Sequence, residues 1–114
     1  MKKISTHVLD TSRGKPAAGV AVRLERQENS GDWATLAAAV TDEDGRCAQL
    51  LPEGDGLRAG RYRLAMDTGS YYAQAGVAGL YPEVVITFAV REGETHFHIP
   101  LLLGPHGYTT YRGS

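Results

Sequence analysis

Apolar and polar residues alternate with period two along most of the chain, and clusters of Gly, Pro, Asp and Asn interrupt the alternation roughly every eight to twelve residues. Period two sends successive side chains to opposite faces of a strand, so the pattern predicts short strands joined by turns, as in a β-sandwich or barrel. Ile4 to Leu9 alternates, with Ile4, Thr6 and Val8 as the core face and Ser5, His7 and Leu9 opposite. Ser12-Arg13-Gly14-Lys15-Pro16 reads as a turn. Val20, Val22 and Leu24 then share one face, with Arg23 and Glu25 behind them. Asn29 to Asp32 turns the chain into a strand over Trp33 to Thr41, and Asp42-Glu43-Asp44-Gly45 is the next turn.

Arg61 to Asp67 places Tyr62, Leu64 and Met66 on one face and Arg61, Arg63 and Ala65 on the other. Tyr71 to Ala78, rich in alanine and free of proline, is the one stretch where a short helix is predicted. Val84, Ile86, Phe88 and Val90 form the cleanest inward face. Arg91 to Glu94 turns it into a strand carrying His96 and His98. Gly104-Pro105-His106-Gly107 is a further turn. In the last strand Tyr108, Thr110 and Arg112 share one face, and Thr109, Tyr111 and Gly113 the other. The expected architecture is an all-β antiparallel sandwich of seven to eight strands with one short helix.

Composition narrows the function more than the fold. At 114 residues the chain is expected to form one domain, residues 1–114, able to bury roughly two-thirds of its unfolded surface without staples. A net charge of −1 offers no basic footprint, which argues against a nucleic-acid partner. Cys47 is the only cysteine, so no internal disulfide can form, and this fits a reducing compartment. No apolar run follows the two lysines of MKKISTHVLD, and no stretch approaches a membrane span. The expectation is a cytoplasmic protein without a membrane partner.

His96 and His98, at i and i+2, project from one strand face. Three readings are open from spacing alone: half-exposed edge histidines, a zinc site, or general acid–base work near neutral pH. A zinc hydrolase would use His96 and His98 with a third ligand, His7 or His106, although no carboxylate or cysteine lies at ligand spacing near the pair. His7 stands opposite the core set of its own strand, consistent with pointing into a cleft. Arg46 follows the acidic turn either as a surface cation paired with those acids or as a planar fork for an anionic ring. The DEDG turn is no calcium loop: with Gly45 at the sixth position, Val40 and Leu51 would occupy the first and twelfth. Cys47 reads as a small half-buried residue rather than a nucleophile. No serine lies in a G-x-S-x-G elbow, which disfavours Ser-His-Asp acyl transfer.

The segments THVLDTSRGKPAAGV, TDEDGR, GRYRL, YPEV, HFHIPLLL and YRGS run from one end of the chain to the other. Together they resemble the transthyretin-like family, and specifically its enzymatic branch, the 5-hydroxyisourate hydrolases, of which the YRGS ending is the hallmark. The resemblance implies two four-stranded sheets with one short helix, assembled as a homotetramer (a dimer of dimers) with active sites in the channel between dimers. It implies ring-opening hydrolysis of the small molecule 5-hydroxyisourate in urate degradation, with no cofactor and no metal. His7, Arg46, His98 and Ser114 match the family's catalytic positions. His7, Arg46, Tyr111, Arg112, Gly113 and Ser114 match its substrate-binding ones. Gly104, His106 and Thr109 depart from the family pattern, and the resemblance gives no role to Cys47 or His106. Two alternatives accompany this reading: a non-catalytic small-molecule carrier of transthyretin type, and a zinc-dependent hydrolase built on His7, His96 and His98.

Overall fold

The computed structural model describes residues 1–114, folded as two sheets packed face to face. In chain order the elements are β1 (Lys3–Asp10), β2 (Lys15–Pro16), β3 (Ala21–Gln27), β4 (Trp33–Val40), β5 (Arg46–Cys47), β6 (Gly60–Met66), α1 (Thr68–Gln74), β7 (Val84–Val90), β8 (His96–Gly104) and β9 (Gly107–Thr110). One sheet has the order β2-β1-β8-β9 with β5 also paired to β1; the other has the order β4-β3-β6-β7. The strand count is nine, above the seven to eight expected, because β2 and β5 are two-residue pairings too short for any periodicity to reveal.

Two of the expectations need correction. The sandwich is antiparallel except at its centre, where β1 and β8 pair in parallel from Lys3–His96 to Asp10–Leu103. Side-chain alternation is the same in both pairings, so sequence pattern does not distinguish them. The helix begins at Thr68, three residues before the predicted start, and ends at Gln74. Its start signal is Asp67, whose carboxylate accepts from the Ser70 N–H at 3.0 Å and the Ser70 hydroxyl at 2.7 Å, a standard way of satisfying a free helix N-terminus.

The core lies between the sheets and follows the predicted faces closely. Ile4 and Val8 of β1, Val22 and Leu24 of β3, Tyr62, Leu64 and Met66 of β6, and Leu101 and Leu103 of β8 are all essentially inaccessible. On β7 only Val84 and Val90 are buried; Ile86 and Phe88 pack against the core from partly exposed positions because β7 is an edge strand. Thr6 also points inward, and its hydroxyl donates to the Ile99 carbonyl at 2.6 Å, which satisfies a polar group that burial would otherwise penalise. Asp10 is buried at the end of β1. Burial pushes its carboxyl up, but hydrogen bonds from Tyr71, Ser12 and Arg13 outweigh this and hold it below the ordinary carboxylate range.

The consequence for the outer face of the first sheet is direct. With Ile4, Thr6 and Val8 turned in, Lys3, Ser5 and His7 must turn out. With Phe97, Ile99 and Leu101 turned in, so must His96 and His98. The parallel register then sets Ser5 beside His98 and Lys3 beside His96.

Candidate active site

Two further segments close on this outward face. β5 pairs with β1 so that Arg46 stands opposite His7 and Cys47 opposite Thr6. The acidic turn before it makes that pairing possible. Asp42 Oδ1 accepts from the N–H groups of Asp44 and Arg46, both at 2.9 Å, and Gly45 adopts a φ of +75°. The Gly45 carbonyl in turn accepts from Val8 N at 2.7 Å, and a Cβ on Gly45 would lie 2.3 Å from the Val8 oxygen. Only glycine fits there, both for its backbone and for its space. The acids thus build the turn and leave the Arg46 guanidinium unpaired; none of the chain's ion pairs includes Arg46 or Lys3.

The second segment is the tail. β9 ends at Thr110, short of the alternation expected through Gly113. Pro100 explains the interruption: it has no N–H to donate, and its carbonyl is taken by the Thr110 hydroxyl at 2.8 Å. Pairing then resumes in the same register, Gly113 opposite His98, with Gly113 N donating to the His98 carbonyl at 2.7 Å. In the gap the side chains no longer alternate. Tyr111 and Arg112 both line a small apolar cleft with Ile86, Phe88, Phe97 and Ile99. Arg112 bonds Glu94 at 2.9 Å and the His96 carbonyl at 3.0 Å, and its guanidinium lies 4.4 Å from the Phe97 ring centroid.

A cleft of about 380 Å³ results, lined by Lys3, Ser5 and Thr6 of β1, Arg46 and Cys47 of β5 with Ala48, His96, Phe97 and His98 of β8, and Gly113 and Ser114 of the tail. No acidic residue lines it, while Lys3 and Arg46 supply fixed positive charge. Such a wall favours an anionic ligand. His98 is gripped from two sides: its Nδ1 lies 2.8 Å from Ser5 Oγ, and a Cβ on Gly113 would sit 2.5 Å from its Cδ2, so the ring rests directly on the glycine. Partial burial, reinforced by the positive charges of His7, Arg46 and Lys3, pulls its pKa below 6.5. The shift favours the neutral imidazole, the form able to accept a proton.

His7 donates from Nε2 to the Asp44 carbonyl at 2.8 Å, which fixes its ring and leaves Nδ1 as the free nitrogen; it lies beside the cleft, not in its lining. The expected set thus divides. Arg46, His98, Gly113 and Ser114 meet around one space, with His7 adjoining; Tyr111 and Arg112 face the neighbouring apolar cleft. Lys3 and Ser5 also line the cleft, though neither residue type marks a site by itself. The signal for them was their i, i+2 spacing to His7 on one strand face.

Cys47 is buried, more than expected, and burial followed by the nearby Asp42 charge pushes its thiol up, the reverse of what a nucleophile needs. His106 lies in the β8–β9 hairpin, at the opposite end of β8 from His96. No three His, Cys, Asp or Glu side chains converge as a metal site would require. His96 Nδ1 is instead engaged with Thr95 Oγ1 at 2.9 Å.

Comparison with known proteins identifies the family and the fold. The family model described as HIUase/Transthyretin family matches residues 4–113. The chain is 43% identical over 112 residues to the 5-hydroxyisourate hydrolase of Mus musculus, covering 97% of this chain and 94% of that protein. The solved Klebsiella pneumoniae 5-hydroxyisourate hydrolase superposes with a TM-score of 0.86 at 44% identity, each chain fully covered. Sea bream transthyretin, solved in complex with thyroxine, superposes with a TM-score of 0.90 at 31% identity, covering 97% of this chain and 94% of its own. Backbone likeness therefore does not separate enzyme from carrier, whereas sequence identity leans toward the enzyme. The chain belongs to the HIUase/Transthyretin family.

Proposed function

We propose that this chain, acting as a single domain over residues 1–114, hydrolyses 5-hydroxyisourate, opening a cyclic amide C–N bond to give 2-oxo-4-hydroxy-4-carboxy-5-ureidoimidazoline in urate degradation. The observation that carries this is the cleft itself: His98 held by Ser5 and Gly113, an unpaired Arg46 and the Gly113-Ser114 tail around one space that no acidic side chain lines. Relatives that bear the hydrolase name, 41% and 43% identical over 97% of this chain, support the same reading.

Ring opening needs an activated water, a partner for the developing oxyanion and a proton for the leaving nitrogen. His98 Nε2 takes a proton from water while the water oxygen bonds to the carbonyl carbon. The resulting imidazolium returns that proton to the ring nitrogen as the C–N bond breaks. Arg46 holds the anionic ring and offsets the oxyanion charge. His7 assists from beside the cleft, and Ser114 orients the substrate by hydrogen bonding. Tyr111 and Arg112 serve by fixing the tail, Arg112 through Glu94 and the His96 carbonyl. No metal or other cofactor takes part.

The carrier alternative rests on the likeness to a transthyretin solved with thyroxine. A carrier has no use for an imidazole poised as a base beside an unpaired arginine. Following the ultraviolet absorbance of freshly generated 5-hydroxyisourate decides between them. Accelerated decay with the protein is expected; decay at the spontaneous rate would leave the carrier. Excess chelator should not change turnover, and loss restored by zinc would favour the zinc hydrolase built on His7, His96 and His98.

The assembly in this reading is a cytoplasmic homotetramer. The support is that β7 and β9 are edge strands of the two sheets with an apolar cleft between them, and that Val85, Tyr108 and Tyr111 are exposed there. Sedimentation should give four times the chain mass, and fractionation of the source cells should place the protein with cytoplasmic markers.

A further inference from the structure

Ser5 has no part in the function just described, yet it is the one side chain bonded to the imidazole that drives it. The bond, 2.8 Å from Ser5 Oγ to His98 Nδ1, joins neighbouring strands at a register pair, so both backbones fix it. Ser5 is nearly buried, and its oxygen is the only hydrogen-bond partner of Nδ1. On the other edge the ring rests against Gly113, which leaves Nε2 as the nitrogen free to meet a ligand.

Which nitrogen of a neutral imidazole carries the proton is set by the partner of the other. For Nε2 to accept a proton from water, the resting ring must carry its hydrogen on Nδ1. Free histidine side chains favour the opposite form, with the hydrogen on Nε2, and in that form His98 would present a donor to the cleft and could not act as base. A hydroxyl beside Nδ1 can donate to the bare nitrogen or accept from Nδ1–H, and only the second arrangement leaves the Nε2 lone pair free for water. In that arrangement Ser5 Oγ accepts from Nδ1–H, and its own hydrogen, on a side chain that lines the cleft, is free to donate to whatever occupies it.

We infer that Ser5 is a positioning residue that holds His98 in the Nδ1–H form and so keeps the Nε2 lone pair directed into the cleft. The inference rests on the reading of His98 as the base. As Nε2 gains its proton from water, Nδ1–H stays bonded to the same oxygen, now as a charge-assisted bond of roughly twice the strength. Nothing has to reorient during the proton transfer, which is the condition for a preorganised site. Lys3 and His7 from β1, Arg46 and Cys47 from β5 and His96 from β8 are the other titratable or charged groups around this ring, and none of them bonds Nδ1.

The test compares wild type with Ser5→Ala, Ser5→Thr and Ser5→Cys. Long-range 1H–15N correlation spectra report the His98 tautomer without any turnover, and steady-state kinetics with 5-hydroxyisourate across pH report its use. Wild type and Ser5→Thr should show His98 mainly as the Nδ1–H form. Ser5→Ala should revert to the Nε2–H form, with kcat reduced by roughly 10-fold to 10²-fold, the range seen when the partner orienting a functional imidazole is removed. KM should change little. The acid limb of the kcat profile should move to lower pH, because the lost bond favoured the protonated ring more than the neutral one. Should Ser5→Ala fold poorly, Ser5→Cys keeps the volume with a weak hydrogen-bonding group and should behave the same way. An Nε2–H wild type, an unaltered tautomer in Ser5→Ala, or a rise in KM alone would each overturn the inference. A wild type that shows the Nδ1–H form but no turnover would overturn the proposed function instead.

Discussion

Gly113→Ala is the smallest change that the structure predicts to be severe. The glycine has no left-handed φ, so alanine is acceptable to the backbone and the only perturbation is one methyl group. That carbon would stand 2.5 Å from His98 Cδ2, 3.2 Å from its Cγ and 3.3 Å from the His98 carbonyl oxygen. Carbon atoms pack at about 3.5–4.0 Å, so the overlap at Cδ2 is about 1 Å. Two routes relieve it. The ring can retreat, but its far edge already lies 2.8 Å from Ser5 Oγ, so it must tilt out of that bond. Otherwise the tail can lift, losing the Gly113–His98 hydrogen bond, worth about 0.5–1.5 kcal/mol, and carrying Ser114 out of the cleft. A misplacement of about 1 Å at a reacting group costs about 10²-fold, or about 2.7 kcal/mol of barrier. Global stability should fall far less, by a few degrees in Tm, because the core ends at Leu103. The assay is kcat/KM for 5-hydroxyisourate beside a thermal melt. Gly107→Ala, where a Cβ meets nothing within 4 Å, is the control and should behave as wild type. Gly113→Ala with kcat/KM within a factor of two of wild type would refute the placement of the tail against His98.

Other consequences are equally open to measurement. Arg46→Lys keeps the charge but loses the planar fork, and kcat/KM should drop by about 10²-fold; near-normal kinetics would reduce Arg46 to a surface cation. Activity should fall on the acid side as His98 protonates, with a midpoint below 6.5, and Lys3→Met should move that limb to higher pH, since removing a positive charge makes protonation easier. A limb that stays in place or moves the other way would remove Lys3 from the field at His98. The same depressed pKa means that the unfolded state binds the His98 proton more readily, so stability should decline as pH falls from about 6.5, and His98→Gln should flatten that decline. Residues appended after Ser114 should abolish turnover or disturb assembly, whereas the same extension before Met1 should be harmless; full activity with a long C-terminal extension would take the tail out of the mechanism.

What the chain's pattern revealed follows from what alternation encodes. Inward faces such as Ile4, Thr6, Val8 and Tyr62, Leu64, Met66 were legible because burial on one side of a strand writes itself every second residue. Strand partnership and direction were not, because they depend on contacts between distant segments; the parallel β1–β8 pair leaves no local trace. The same limit applied to the site. His7, Arg46, His98 and the tail were picked out by residue type and family resemblance, but Ser5 gained meaning only when the register placed it against His98. Asp67 caps the helix start, but the alanines that follow dominate the local propensity and shift the expected start to Tyr71. Tyr111 and Arg112 were expected on opposite faces, and the missing N–H of Pro100, on another strand, is what breaks their alternation.

The parallel pairing of β1 with β8 also governs when activity can first exist. Ser5 and His98 are 93 positions apart, so the cleft is incomplete until the chain has nearly closed on itself. At roughly 5–20 residues per second, a ribosome releases β8 roughly 5–20 s after β1. Throughout that interval β1 has only the two-residue β2 and β5 as available strand partners, and the edge destined for β8 stands open. An open strand edge is a template for pairing with other chains. Domains dominated by such distant pairings fold in milliseconds to seconds, which is fast only once the last strands have emerged. A chain halted before His96 is therefore both inert and prone to aggregate, and the appearance of turnover in a coupled translation reaction would time the arrival of β8.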